Sequence, residues 1–249
     1  MQRIFEEACV IHKAVNGKVF LGVTLQRRFN PIYRAFLQMQ QRIGKIYSIE
    51  GKYTIHVAEL DQGWRASRVQ AGGGALVDMG YHLVDLLVWY FGTPQTVTAR
   101  MTRGNRDGQR YDVEDTVNLL FDFYLPQSYE EKTIGNFLIS RVYPKKQEIL
   151  TVYGVKGILE LQRAEICRYD VHGQEIEKLV RQDSLPSTMI DQLDHFGETI
   201  NAGTRWNLET LKEHLPQVAI IEAAYESDKR STSCHPEEFL QKALVLCSE

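Results

Sequence analysis

The sequence predicts an α+β fold: a large, mostly antiparallel, open-faced sheet with helices packed on one side. Three observations predict it. Apolar residues recur with helical spacing at the N-terminus, over 31–44 and 75–91, and again beyond residue 187. Between residues 96 and 173 the period changes to two, in segments joined by connections too short for parallel crossovers. The bulk composition, 43% hydrophobic and 24% charged over 249 residues, is that of an ordinary globular chain.

In RIFEEACVIHKAV (3–15), Ile4, Ala8, Ile11 and Val15 share one face, which predicts an amphipathic helix stopped by Asn16-Gly17, with His12 exposed. VFLGVTLQRRF (19–29) reads as a strand. PIYRAFLQMQQRIG reads as a helix with Pro31 in its first turn and Gly44 as its stop. KIYSIEGKYTIHVAEL reads as a strand interrupted at Gly51, and DQGWRASRVQ as a loop. TVTARM, VEDTVNLLFDFYL, KTIGNFLISRVY, QEILTVYG, GILELQ and EICRYDVHG have strand character, with hairpin turns at YGVKG and DVHGQE. Helices are expected again over 187–203, capped by Ser187 or Thr188, and over 207–230.

A net charge of −3 without a dense Lys/Arg stripe argues against nucleic acid as a partner. No apolar run approaches the ~20 residues that span a bilayer, so no membrane association is expected. Glu6 and Glu7 stand where an export signal would be apolar. Cys9, Cys167, Cys234 and Cys247 are scattered without a framework, so reduced thiols and a cytoplasmic location are expected.

The stretch AGGGALVDMGYHLVDLLVWYFG (71–92) carries the strongest chemical signal. On a helix, Asp78, His82, Asp85 and Trp89 form one stripe in otherwise apolar surroundings. Burying two carboxylates costs several kcal/mol unless they are paired or face a wet cavity. The stripe therefore predicts a cleft, or else a buried Asp–His pair that ties the helix to its neighbours. A metal held by Asp78 and His82 is a further alternative, although no third ligand of suitable spacing is evident. No metal is therefore expected.

RRFNPIY (27–33), GWR (63–65) and the run G-G-G-x-L-x-D-x-G-x-H-x-x-D from Gly72, closed by Gly92, together resemble the C-terminal domain of the Gfo/Idh/MocA oxidoreductases. VEDT (113–116) and EILTVYGVKGILEL (148–161) extend the resemblance to about residue 200. It implies a dihydrodipicolinate-reductase-like C-terminal domain in an NAD- or NADP-dependent dehydrogenase of sugars or polyols. By that resemblance His82 is the general acid/base, and Asp78 binds a substrate hydroxyl or fixes the imidazole tautomer. Arg27 and Tyr143 line the substrate pocket, Trp64 and Arg65 lie at the cofactor, and Asp85 is structural.

The family's Rossmann fingerprint and its E-K-P lysine have no counterpart in these residues; Gly72-x-Gly74-x-x-Val77 lacks the third glycine and follows a loop. The expected division is a remnant helix and strand of a Rossmann domain over 1–25, then a substrate and oligomerisation domain over 26–249. Whether the chain is truncated or a natural stand-alone domain is left open. On this reading the chain alone neither holds the cofactor nor reduces it, and it forms homo-oligomers through its sheet face. Two alternatives remain: a non-catalytic assembly module that complements a separate Rossmann chain, and a metal-dependent enzyme.

Overall fold

The computed structural model describes residues 3–125, 131–181 and 185–248. Helix α1 (Arg3–Val15) stops where expected, with Gly17 in the left-handed region at φ 67°. Its inward face is rotated from the expected one. His12 is buried and Ile11 is exposed, because Trp206 Nε1 donates to His12 Nδ1 across 3.1 Å.

Residues 19–25 do not form the expected strand, so only the helix of the expected 1–25 remnant is present as regular structure. An extended segment needs a neighbouring edge to pair with, and this one meets a later helix and the loop that follows it instead. Val19 O accepts from Trp206 N, and Val23 O accepts from Gln192 Nε2. Gln26–Phe29 then tighten into a 3₁₀ turn that carries both arginines of the RRF motif.

Helix α2 (Pro31–Met39) starts on Asn30, whose Oδ1 accepts from Ile32 N, and ends through a 3₁₀ turn at Gly44. Strand β1 (Ile46–His56) runs unbroken through Gly51, contrary to expectation. The glycine serves packing there, since a Cβ would stand 2.4 Å from the Phe137 ring. A 3₁₀ turn (Trp64–Ala66) and the short α3 (Arg68–Ala71) occupy the expected loop. The glycine run then enters a π-helical turn (Leu76–Gly80) continuous with α4 (Tyr81–Phe91).

Strands β2 (Thr96–Thr102), β3 (Thr116–Phe123), β4 (Thr133–Ser140), β5 (Val142–Gly154), β6 (Gly157–Gln162), β7 (Glu165–Tyr169) and β8 (Glu175–Val180) complete the sheet. Its order is β2-β3-β4-β1-β5-β6-β7-β8, antiparallel except for the β1–β4 pair. Strand β8 was not foreseen, because its exposed Glu-Ile-Glu-Lys alternation buries little. Strands β4 and β5 were expected to break elsewhere. The chain passes over the C-terminal end of β1 at one residue, Arg141, which is thereby buried.

Helix α5 (Leu185–Asn201) begins ahead of Ser187 and Thr188, so neither is its cap. The single helix expected over 207–230 is two, α6 (Leu208–Lys212) and α7 (Leu215–Arg230), split ahead of Pro216, whose ring cannot continue a helix already under way. Helix α8 (Pro236–Ser248) follows.

Helices α2, α4 and α7 cover one sheet face, burying Phe36, Leu87, Phe121, Phe137 and Ala223 in a common core. Each large apolar side chain there contributes roughly 1.5–3 kcal/mol. The other face stays open, with Leu120 and Ile134 each more than half exposed. Cys9 and Cys247 are disulfide-bonded, joining α1 to α8, so the reading of all four cysteines as thiols is corrected; Cys167 and Cys234 are free and buried. No described helix is long and apolar enough to cross a membrane.

Candidate active site

The glycine run sets the direction of the site helix. Gly72 is left-handed at φ 76°, and a Cβ on Gly74 would lie 2.0 Å from Glu114 O. Only a residue without a side chain lets this backbone press so closely on its neighbour. The close approach is therefore to the chain itself. Glu114 Oε1 accepts from Gly74 N (2.8 Å), Leu76 N (3.1 Å) and Tyr225 Oη (2.7 Å). Its carboxylate thus caps the N-terminus of the π-turn and α4, where unpaired N–H groups and the helix dipole favour negative charge. Burial and Glu114 together hold the Tyr225 phenol protonated.

The π turn changes the expected stripe. A wider turn rotates the residues before it relative to those after it. Asp78 therefore turns to the buried Arg141, Nη2 to Oδ2 at 3.1 Å, and to Arg65 at 3.4 Å. Asp85 is 2% exposed and takes a bidentate pair from Arg28 at 2.6 and 3.1 Å, with Gln217 Nε2 donating at 3.0 Å. This fits its expected structural role: it fastens α4 to the 3₁₀ turn of the RRF motif. Arg28 also lies 5.9 Å over the Trp89 ring.

His82 faces a cavity of about 260 Å³ lined by Gln26, Arg27, Tyr33, Tyr53, Glu148 and Arg163, among others. Seven structural segments converge there, which is why no single stretch of sequence announces it. The imidazole stands 6.4 Å from the Tyr53 ring, and no hydrogen bond fixes it among the described residues. Burial and the nearby Arg27 cation push its pKa down to about 4, against the smaller opposing pull of Glu148, Asp85 and Asp78. It is a neutral imidazole at neutral pH, with a lone pair to offer.

Arg27 pairs with Glu148 at 2.7 Å and lies 5.4 Å over the Tyr53 ring. Burial is the largest single influence and works against its charge, but Glu148, with Tyr33 and Tyr53, together more than compensate. Tyr33 Oη donates to the same Glu148 Oε1 at 3.0 Å, and burial ahead of that carboxylate keeps the phenol protonated. Tyr33 and Glu148 stand at the ends of the RRFNPIY and EILTVYGVKGILEL motifs, but only the fold brings them to Arg27; Tyr53 belongs to an ordinary strand pattern.

Of the expected site residues, His82 and Arg27 share this cavity. Asp78 sits one turn away on the Arg141 side, and Tyr143 is exposed on β5 outside the cavity lining. Trp64 is 52% exposed, with the Arg65 guanidinium 4.4 Å over its ring. Through Asp78, this pair is joined to the start of the site helix. Among the described residues no group of three His, Cys, Asp or Glu side chains could hold a metal.

The glycine run does not offer a pyrophosphate site. A pyrophosphate needs a glycine-turned helix N-terminus with free N–H groups. Here the one helix start that follows a glycine run is already neutralised by Glu114.

Comparison with known proteins places these features. A curated relative, trans-1,2-dihydrobenzene-1,2-diol dehydrogenase of Xenopus laevis, is 27% identical over 158 residues; the match takes in 61% of this chain and 43% of the relative. This chain thus corresponds to less than half of that protein. Levoglucosan dehydrogenase, solved with NADH and levoglucosan, superposes with a TM-score of 0.76 at 18% identity, covering 93% of this chain and 70% of that one. An aldose-aldose oxidoreductase from Caulobacter crescentus, complexed with glycerol, gives 0.69 at 20% identity, covering 84% and 62%. At such identities the superpositions establish the fold. The GFO/IDH/MocA C-terminal domain model matches residues 36–160, half of the chain. The chain belongs to the GFO/IDH/MocA C-terminal domain family.

Proposed function

We propose that this chain is the substrate-binding half of an NAD-type sugar or polyol oxidoreductase, with His82 as its general acid/base. The observation that carries the reading is a neutral, unbonded imidazole at the wall of a polar cavity, on the family's own motif helix. A substrate hydroxyl entering the cavity meets a ring nitrogen with no competing partner, and its proton passes to that nitrogen as the carbinol carbon is oxidised. In the reverse direction His82 returns the proton. The hydride requires an acceptor held by residues other than these. Trp64 and Arg65, exposed beside the site helix, are suited to meet a domain carrying it.

Asp78 acts as a positioning group. It holds Arg141 and Arg65 around the helix entry and adds negative potential at His82. Arg27 orients substrate oxygens in the same cavity, while Tyr143 has no assigned place in this scheme. The Levoglucosan-dehydrogenase-like fold and the glycerol-bound relative support a polyhydroxylated substrate.

An assembly role is compatible with this one. Leu120 and Ile134, on adjacent strands of the open face, are the kind of apolar surface that copies of a chain cover by association. We propose homo-oligomers through that face, which sedimentation of the Leu120→Arg/Ile134→Arg variant would return to monomer.

The test of the site is NMR of the imidazole resonances during titration with polyols and aldoses. A selective shift at His82, lost in the Arg27→Met variant, is expected. Robust reduction of NAD or NADP by the 249-residue chain alone would overturn the division of labour, and an unmoved His82 across the panel would overturn the site.

A further inference from the structure

Resting on the proposed sugar-binding site, we propose that the substrate carries a carboxylate or similar anionic group, seated between Arg27, Lys146 and Arg163. All three cations line the His82 cavity, whose described lining contains one carboxylate, Glu148. Both Arg27 contacts to Glu148 and the Tyr33 hydrogen bond converge on its Oε1. One carboxylate against three cations leaves an excess of two positive charges facing a cavity of about 260 Å³, small enough for a single sugar ring.

The two other described acids that act on His82 do not cancel this excess. Asp78 is committed to Arg141 and Arg65, and Asp85 to Arg28 and Gln217. Lys146 and Arg163 have no ion-pair partner among the described residues, and both are exposed at the rim. Arg27 differs: its side chain is 12% exposed, and its Nη1 is buried without a hydrogen-bond partner. Gln26 Oε1, in the same lining, is buried and unpartnered as well. An orphaned buried donor costs about 1–3 kcal/mol, so such groups are retained where something meets them. A guanidinium matched to a carboxylate is the strong form of that contact. A hydroxyl of the same ligand would satisfy Gln26.

The arrangement also bears on His82. The Arg27 cation depresses its basicity, and a ligand carboxylate beside Arg27 offsets that field. An acidic substrate would thereby raise the basicity of the group that takes its proton, which a neutral polyol would not do.

The experiment compares D-glucuronate with D-glucose, which has a hydroxymethyl group in place of the carboxylate, and with sodium acetate, by calorimetric titration of the purified chain. D-Glucuronate is expected to bind at least about tenfold more tightly than D-glucose. The Lys146→Ala/Arg163→Ala variant, altered only at exposed positions, should lose that advantage, the ratio of the two affinities falling toward one. Equal binding of the two sugars would overturn the anionic substrate and leave the polyol site standing. Acetate binding as tightly as D-glucuronate would keep the cationic pocket but overturn the sugar reading. Binding of neither sugar at millimolar concentration would overturn both.

Discussion

Replacing Tyr225 by Phe removes one hydroxyl and tests what holds the site helix in place. That hydroxyl is one of three donors to the buried Glu114 Oε1, the others being the Gly74 and Leu76 amides. A hydrogen bond to a charged group is worth about 1.5–3 kcal/mol. The space is tight, since a Cβ on Gly73 would sit 1.9 Å from the Tyr225 oxygen, so the variant also leaves a small void. The ring itself remains, and with it the Arg68 guanidinium 5.0 Å above it. The expected loss is about 2 kcal/mol. In a domain of this size each kcal/mol moves the midpoint by about 2–4 °C, so Tm should fall by about 4–8 °C. Thermal and urea unfolding followed by circular dichroism, with an unchanged urea slope, provide the assay. Gly74→Ala should cost more than Tyr225→Phe, because its Cβ meets backbone on Glu114 that has nowhere to move. A Tyr225→Phe loss below about 0.5 kcal/mol, or Gly74→Ala tolerated as well as wild type, would refute the cap as the element that orients α4.

Two further outcomes follow from the same contacts. His82 has a pKa near 4 in the folded chain against 6.5 when unfolded, so the unfolded chain binds the proton first as pH falls. Its contribution is nil above about pH 6.5, turns destabilising between pH 6.5 and 4, and levels off below 4 at up to about 3 kcal/mol. The His82→Gln variant should therefore gain on wild type by about that amount between pH 7 and pH 4, and an imidazole titration midpoint near 6.5 would contradict it. Asp85→Ala strands the Arg28 guanidinium and the Gln217 amide, and should cost about 3–5 kcal/mol in denaturant unfolding; a loss under 1 kcal/mol would show that the pair does not fasten the helix.

The sheet and most helices were legible because their signals are local. Alternation in β3 and helical spacing in α2 and α4 depend on near neighbours alone. The errors arose where distant residues decide. Residues 19–29 have strand composition, but no strand edge meets them and α5 does. His12 has the context of an exposed helical residue, yet an indole 194 positions away turns it inward. Gly51 looked like an interruption because nothing in its own strand mentions Phe137. The same division runs through the site. The helix motif identified His82, and the RRF motif identified Arg27. Glu148 and Tyr33, which set Arg27's charge and geometry, lie within motif segments, but their meeting in the cavity depends on contacts 121 and 115 positions apart in the chain. Glu114 was visible as part of VEDT, but its capping role depends on a contact 40 positions back along the chain.

The polar stripe on an apolar helix has separate physical explanations at its separate positions. Asp85 is buried, and a bidentate arginine with an amide satisfies it. Asp78 is partly exposed and answers a buried arginine at the sheet crossover, so it is as much Arg141's partner as the reverse. His82 alone has no such partner; it is tolerated because it is uncharged and looks into a polar space. A buried Asp–His pair, the structural alternative, would require the imidazole to be bonded to one of the two carboxylates, and both are engaged by arginines instead. A metal held by Asp78 and His82 would have to draw Asp78 away from Arg141 and leave a buried guanidinium unpaired, at a cost of several kcal/mol. The arrangement that strands no charge is the one in which His82 waits for a partner from outside the chain.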